Sequence, residues 1–326
     1  KKGAVIRPDT SLPVGSIQIR MTPIWHPKKK LWQLWDCAAS PIDLHAEGRA
    51  ASGYYESKDG LHWTKPVVGL IEYRGSKENN YVNHLMGGKT NRVDCIIRDD
   101  SDPDPARRYK TAVPNVFRQD VGGTAVSPDG IHWTEISSPG IYGGDEWNLT
   151  FDAKEHLYLH YMKRGSKHGR AIWLSTSKDF ETWTEPKLMF EADELDQKLG
   201  RERIKARMAD PTRKRPEFDI PETHGVDVYN FGLFRYETLY IGMPAMFYKT
   251  GRVSKDWPGF DELDLPEKVL TEVRKYGDWT GFHRVQLACS RDLQAWHRVA
   301  DRRPFIDNSP LAGGSYDLQV VMPPSQ

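Results

Sequence analysis

The chain has 326 residues, with 46 Lys and Arg against 45 Asp and Glu, and a mean hydropathy of −0.66. Charge this balanced leaves no basic field to draw nucleic acid or an anionic membrane, so neither is expected as a partner. No apolar run approaches the roughly 18 residues of a membrane-crossing helix, and Cys37, Cys95 and Cys289 form no CxxC or Cys/His pattern, which reads as small buried side chains rather than a zinc site or a disulfide framework.

The first predicted unit holds a strand from Ser16 to Thr22, a His26-Pro27-Lys28-Lys29-Lys30 turn, and strands Leu31 to Cys37 and Ala51 to Glu56. It closes on Ser57-Lys-Asp59-Gly60-Leu-His62-Trp63. The second has Val93 to Arg98, an acidic Pro-rich turn from Asp99 to Pro105, Arg108 to Val113 and Gly123 to Val126, and closes on Ser127-Pro-Asp129-Gly130-Ile-His132-Trp133. The third has Trp147 to Phe151, a turn from Asp152 to Glu155, His156 to Met162 and Ala171 to Thr176, and closes on Ser177-Lys-Asp179-Phe180-Glu-Thr182-Trp183. Strong helix formers over 192–213 then predict a helix. Strands follow at Val226 to Phe234 and Leu239 to Tyr248. A second helical insert is expected within 249–281, with Pro266 at its first helical position. Val285 to Cys289 then leads into Ser290-Arg-Asp292-Leu293-Gln-Ala-Trp296. Ser315 to Met322 reads as the innermost strand of one more unit, incomplete in this chain.

One frame, Ser-x-Asp-x-x-x-Trp, thus recurs four times, each time after a strand. Repetition of a whole supersecondary unit implies radially arranged copies, because no single copy can bury its own apolar face. The expected fold is all-β, a five-bladed β-propeller forming a single domain over 1–326. Its blades fall near 16–66, 91–136, 145–190, 226–303 and, in part, 315–326, with two helical inserts. Within the frame, Ser and Asp bond the turn's N–H groups, Gly takes positive φ and Trp anchors the returning strand. The frame acids Asp59, Asp129, Asp179 and Asp292 are therefore turn residues. The turn acids Asp99 to Asp104 and Asp152 read as solvated. No cofactor is expected, although so dense an acidic loop could hold a structural Ca²⁺.

Chemistry in a propeller belongs at the starts of the innermost strands, which line one mouth of the central channel. Those starts supply Asp94, Asp145, Glu146, Asp227 and Asp317 as candidate catalytic acids. Arg20, Asn91, Arg92, Trp147 and His224 are candidates for binding substrate. Facing carboxyl groups raise one another's pKa, so one can donate a proton while another stays ionised, the pair that glycoside hydrolysis needs. Arg20 and Arg92 would suit an acidic or sulfated sugar, since guanidinium forks bind carboxylate and sulfate in a bidentate manner.

Repeated SxDGxxW hairpins, acids at inner-strand starts and the pair Arg98-Asp99 resemble the five-bladed propeller glycoside hydrolases, the β-fructosidase and arabinanase type of families 32 and 43. The resemblance spans about 16–322 and implies a carbohydrate substrate, with three carboxylates on the first three blades as base or nucleophile, tuning acid and proton donor. In this chain blade one begins Ile17-Gln-Ile-Arg20-Met21 without an acid, and the Asn-Asp-Pro-Asn and Glu-Cys signatures are absent. Either the catalytic pair lies on blades two to five, or the protein is a carbohydrate-binding propeller that does not cleave. A sialidase fits less well, because its Asp-box has one more residue between Asp and Gly. The opening Lys-Lys-Gly lacks signal-peptide character and leaves the compartment open; an extracytoplasmic location suits a polysaccharide substrate. The oligomeric state is not legible.

Overall fold

The computed structural model describes residues 5–7, 17–36, 51–86, 89–93, 95–113, 121–143, 145–262, 267, 270, 271, 274 and 278–323. The first blade is an antiparallel meander of β1 (Ile24–His26), β2 (Leu31–Trp35), β3 (Ser52–Ser57) and β4 (Tyr81–Val82). A small hairpin of β5 (His84–Met86) and β6 (Lys89–Asn91) follows. The second blade runs β7 (Ile97–Arg98), β8 (Tyr109–Val113), β9 (Val121–Ser127) and β10 (Thr134–Tyr142). The third runs β11 (Asp145–Asp152), β12 (Leu157–Ser166), β13 (Gly169–Ser177) and β14 (Lys187–Phe190). After helix α1 (Glu194–Ala209) comes the fourth, with β15 (Gly225–Tyr236), β16 (Leu239–Val253), β17 (Asp278–Val285), β18 (Ala288–Ser290) and β19 (His297–Arg298).

The arrangement is all-β and propeller-like, but the described residues form four blades, not the expected five. Ser315 to Met322 makes no strand. Instead Gln319 runs beside β17, its carbonyl accepting the His283 N–H at 2.8 Å and its amide donating to the Gly281 carbonyl at 2.7 Å. A lone strand-like run cannot satisfy its backbone by itself, and the edge of β17 offers the partners. Blade one also starts later than the sequence suggests, at Ile24, so Arg20 precedes its inner strand. Asn91 belongs to the small hairpin rather than to blade two. One helical insert is present as α1; the second falls largely on 263–277, mostly outside the described residues.

Neighbouring blades are joined by one recurring device, a tyrosine on a second strand that donates to the preceding blade. Tyr109 bonds Gln33 Oε1 at 2.6 Å, Tyr158 bonds Asp99 Oδ2 at 2.6 Å and Tyr240 bonds Asp152 Oδ2 at 2.5 Å. Asp99 and Asp152 are therefore not solvated turn acids as expected; both are buried. The acidic loop is likewise closed around a protein cation. The buried Lys110 ammonium lies 3.3 Å from Asp99 Oδ2, 2.9 Å from Asp102 Oδ2 and 2.6 Å from the Arg107 carbonyl, so those carboxylates already have their counter-charge.

All four frames occupy equivalent hairpins after the third strand of the meander. In each, the Asp Oδ1 accepts two backbone N–H groups and the Ser Oγ accepts that of the fourth residue. That fourth residue is left-handed whether or not it is glycine: φ is 72° at Gly60, 79° at Gly130, 65° at Phe180 and 63° at Leu293. The side-chain cage dictates the turn, and buried Phe180 and Leu293 recover in packing what their backbones cost. Gly60 and Gly130 differ in surroundings. A Cβ on Gly60 meets nothing within 4 Å, whereas one on Gly130 would lie 2.5 Å from Trp35 Cζ2 of blade one. Gly60→Ala is accordingly expected to cost about 1–2 kcal/mol of backbone strain. Gly130→Ala should cost about 1–3 kcal/mol more from overpacking, a difference that paired urea unfolding curves would read. Equal losses would mean that Trp35 moves aside.

Helix α1 is tied to the fourth blade. Its N-terminus has a reciprocal capping box between Asp193 and Asp196. The guanidinium of Arg302, followed by the backbone bond from Asp196, brings the Asp193 carboxyl down to about 2 against the opposing effect of burial. The Gln197 amide then pairs with the backbone of Val226 in both directions, at 2.8 and 3.0 Å, as a neighbouring strand would. Gly200 lets the helix approach so closely that a Cβ there would stand 2.2 Å from Val226. The beginning of β15 is thereby held against the helix.

Candidate active site

The inner strands of blades three and four start alike. Asp145 pairs with Lys163 and Asn148 with Tyr161, with a bulge between; Asp227 pairs with Phe247 and Asn230 with Ala245, again with a bulge. Asp145 and Asp227 are thus equivalent, as are Asn148 and Asn230. Bulges of this kind re-aim side chains at functional rims. The residue after the aspartate is where the blades differ. In blade three it is Glu146, at φ 48°, 5% exposed and held with positive φ that a non-glycine residue adopts only under constraint.

Glu146 is the point at which three blades meet. Its Oε1 accepts from Arg20 Nη2 at 3.0 Å, ahead of blade one, and its Oε2 accepts from Asn230 Nδ2 at 3.3 Å on blade four. The Glu146 N–H also bonds Asp145 Oδ1 at 2.8 Å. Asp145 keeps 54% of its side chain exposed and forms an ion pair with Lys163 at 2.7 Å. Burial would raise the Asp145 carboxyl, but the Lys163 ammonium, aided by Arg20, holds it below the ordinary value, so it is ionised at neutral pH. Burial pushes Lys163 the other way, below the usual lysine range, against the pull of Asp145.

Behind this pair lies a second layer. Asp227 is buried and its Oδ2 accepts from Arg170 Nε at 2.9 Å and faces Lys249 Nζ at 3.4 Å. Tyr229, at the bulge of β15, carries Lys163 Nζ 3.8 Å from its ring centre and the Arg170 guanidinium at 4.7 Å. His283 lies 4.6 Å from the same ring; burial, with Arg170 and Lys163 nearby, lowers its pKa to about 3, so it is neutral. Asp227 Oδ1, Asn230 Oδ1, Arg170 Nη2 and both His283 ring nitrogens are buried without a hydrogen-bond partner among the described residues. Buried polar atoms are ordinarily matched by protein, water or ligand.

Of the residues singled out from sequence, Arg20, Asp145, Glu146 and Asp227 belong to this cluster. Asp94 lies outside the described residues. Trp147 packs in the core with Leu149, Met162 and Trp183 instead of facing substrate. His224 precedes β15 and pairs with Asp219 at 2.7 Å. Asp317 sits on the C-terminal segment rather than on an inner strand, its carbonyl accepting from Ser309. Arg92 is half-buried on the link to β7, and Asn91 ends β6. Lys163, Arg170, Tyr229, Lys249 and His283 were missed. The basic hairpin Lys163-Arg-Gly-Ser-Lys-His-Gly-Arg170 was the available signal, since its tip lies at the same end as the start of β11.

The sequence matches no protein-family model and no curated protein. Among solved structures it overlaps the α-L-arabinanase of Penicillium chrysogenum bound to arabinobiose at 11% identity and TM-score 0.49, covering 94% of this chain and 73% of that one. The α-L-arabinofuranosidase Arb93A of Fusarium graminearum overlaps at 12% identity and TM-score 0.48, covering 92% and 72%. An N-acetylgalactosamine deacetylase of F. plautii, bound to blood group B trisaccharide, overlaps at 10% identity and TM-score 0.46, covering 94% and 74%. Likeness this loose transfers no residue and no substrate.

Proposed function

We propose that the protein is a glycoside hydrolase acting on an oligo- or polysaccharide at the mouth lined by β11 and β15. The observation that carries this reading is Glu146, a buried carboxylate at positive φ held by Arg20 and Asn230, with the half-exposed, ionised Asp145 as its neighbour in the chain. Two adjacent carboxyl groups in unlike surroundings are what acid/base cleavage of an acetal requires. Asp145 serves as base or nucleophile. Glu146 takes the complementary acid/base role, positioned by Arg20 Nη2 and Asn230 Nδ2. Asp227 anchors Arg170 and Lys249 behind them. The test is incubation of purified protein with a glycan panel, detecting new reducing ends. Release of reducing sugar from at least one glycan supports the hydrolase. Binding without release on every glycan would leave the second reading, a non-catalytic carbohydrate-binding propeller, which the many unmatched polar atoms would also suit.

A further inference from the structure

We infer that Lys163 and Arg170, gathered around the ring of Tyr229, form a subsite for an anionic substituent, a carboxylate or a sulfate ester, on the sugar bound at this mouth. The inference rests on the carbohydrate reading above and narrows it to acidic sugars. The cluster sets four cations, Arg20, Lys163, Arg170 and Lys249, against three carboxylates, Asp145, Glu146 and Asp227. Arg20 is paired with Glu146 and Lys163 with Asp145, and the single Asp227 Oδ2 is shared by Arg170 and Lys249. Arg170 therefore spends its Nε on a carboxylate that it does not hold alone, and its Nη2 has no hydrogen-bond partner among the described residues.

Two like charges over one aromatic ring oppose each other, and the ring's quadrupole only partly offsets that repulsion. An arriving anion would relieve it, whereas a neutral hydroxyl would not. Arg170 keeps 26% of its side chain exposed, while its Nη2 is buried. Guanidinium presents paired donors to planar carboxylate or to sulfate, and Lys163 adds a point charge. Neutral His283, its ring 4.6 Å from that of Tyr229, carries one N–H. The remaining unmatched atoms, Asp227 Oδ1 and Asn230 Oδ1, are acceptors and suit sugar hydroxyls. Where the sequence points to Arg20 and Arg92 for anion binding, the β12–β13 hairpin is favoured here.

The test is calorimetric titration of the full chain with glucuronate, galacturonate, a sulfated galactose and their neutral parent sugars. At least one anionic sugar should bind about ten-fold or more tightly than its neutral parent, the scale of one charged hydrogen bond. The preference should shrink with added salt. Whichever of uronate or sulfate shows the larger gain identifies the substituent. Lys163→Met and Arg170→Lys should each reduce affinity for the anionic sugar about ten-fold more than for the neutral parent, the second keeping the charge beside Asp227 should the first fail to fold. Equal affinity for charged and neutral sugars, no binding of any anionic sugar, or equal losses for both in the variants overturns the subsite. Cleavage of neutral glycans without any anion preference overturns it while leaving the hydrolase intact. Anion preference without cleavage of any glycan upholds it and removes the hydrolase.

Discussion

Glu146→Gln is expected to lower kcat on the cleaved glycan by about 10²- to 10⁴-fold, the range over which a positioned acid or base contributes. Gln preserves the shape, can still accept from Arg20 and can bond Asn230, so the left-handed turn at φ 48° and the junction of three blades should survive. Asp145→Asn should show a loss of the same order, because an amide can neither attack the anomeric carbon nor take a proton from water. The Lys163 ammonium keeps Asp145 ionised below the ordinary carboxylate pKa. Its contribution to the acid limb of the rate profile should therefore fall below about pH 4. Thermal unfolding and circular dichroism on both variants would separate lost chemistry from lost fold. Unchanged cleavage in both, with binding alone weakened, would remove these two residues from the reaction and return the site to a sugar-binding role.

Asp152→Ala is expected to destabilise the protein by about 3–5 kcal/mol, the cost of removing one partner from a buried charge pair. Asp152 ends the inner strand of blade three, and its Oδ2 accepts from Arg235 Nη1 at 2.7 Å and Tyr240 at 2.5 Å on blade four. Its Oδ1 meanwhile accepts the N–H groups of Lys154 and Glu155. Burial alone would raise this carboxyl, but those hydrogen bonds and Arg235 outweigh it and hold the pKa below the ordinary value. The sign follows. A carboxyl with a depressed folded pKa stabilises in full above its unfolded value of about 3.9. That stabilisation disappears as pH falls through the folded value. Urea unfolding at pH 7 should show the whole difference between wild type and variant, and the gap should narrow as pH drops below about 4. A gap independent of pH would assign the loss to packing rather than charge.

The hairpin frames were legible because their information is local. A Ser and an Asp two residues apart bond the turn between them, and that chemistry is the same wherever the hairpin sits. Legibility extended to most strands of blades two to four and to the helix within 192–213, since each depends on periodicity or on near neighbours. Sequence also named Glu146 among the inner-strand acids, although nothing in it marked this residue apart from the aspartate beside it.

Tertiary structure alone decided the rest. Blade number depends on whether a run finds a partner, and Ser315 to Met322 finds the side of β17 instead of a sheet of its own. Whether a turn acid is solvated depends on what the next blade brings to it, and Tyr158 and Tyr240 arrive from 59 and 88 residues away. The site is the same case. Arg20 reaches Glu146 across 126 residues and Asn230 across 84, and Lys163 and Arg170 meet over Tyr229 only because blades three and four stand side by side. Local hydrogen bonds can be read along a chain; the pairing of charges across blades exists only once packing has brought them within a few ångströms, where Coulomb energy and desolvation become large enough to select one arrangement.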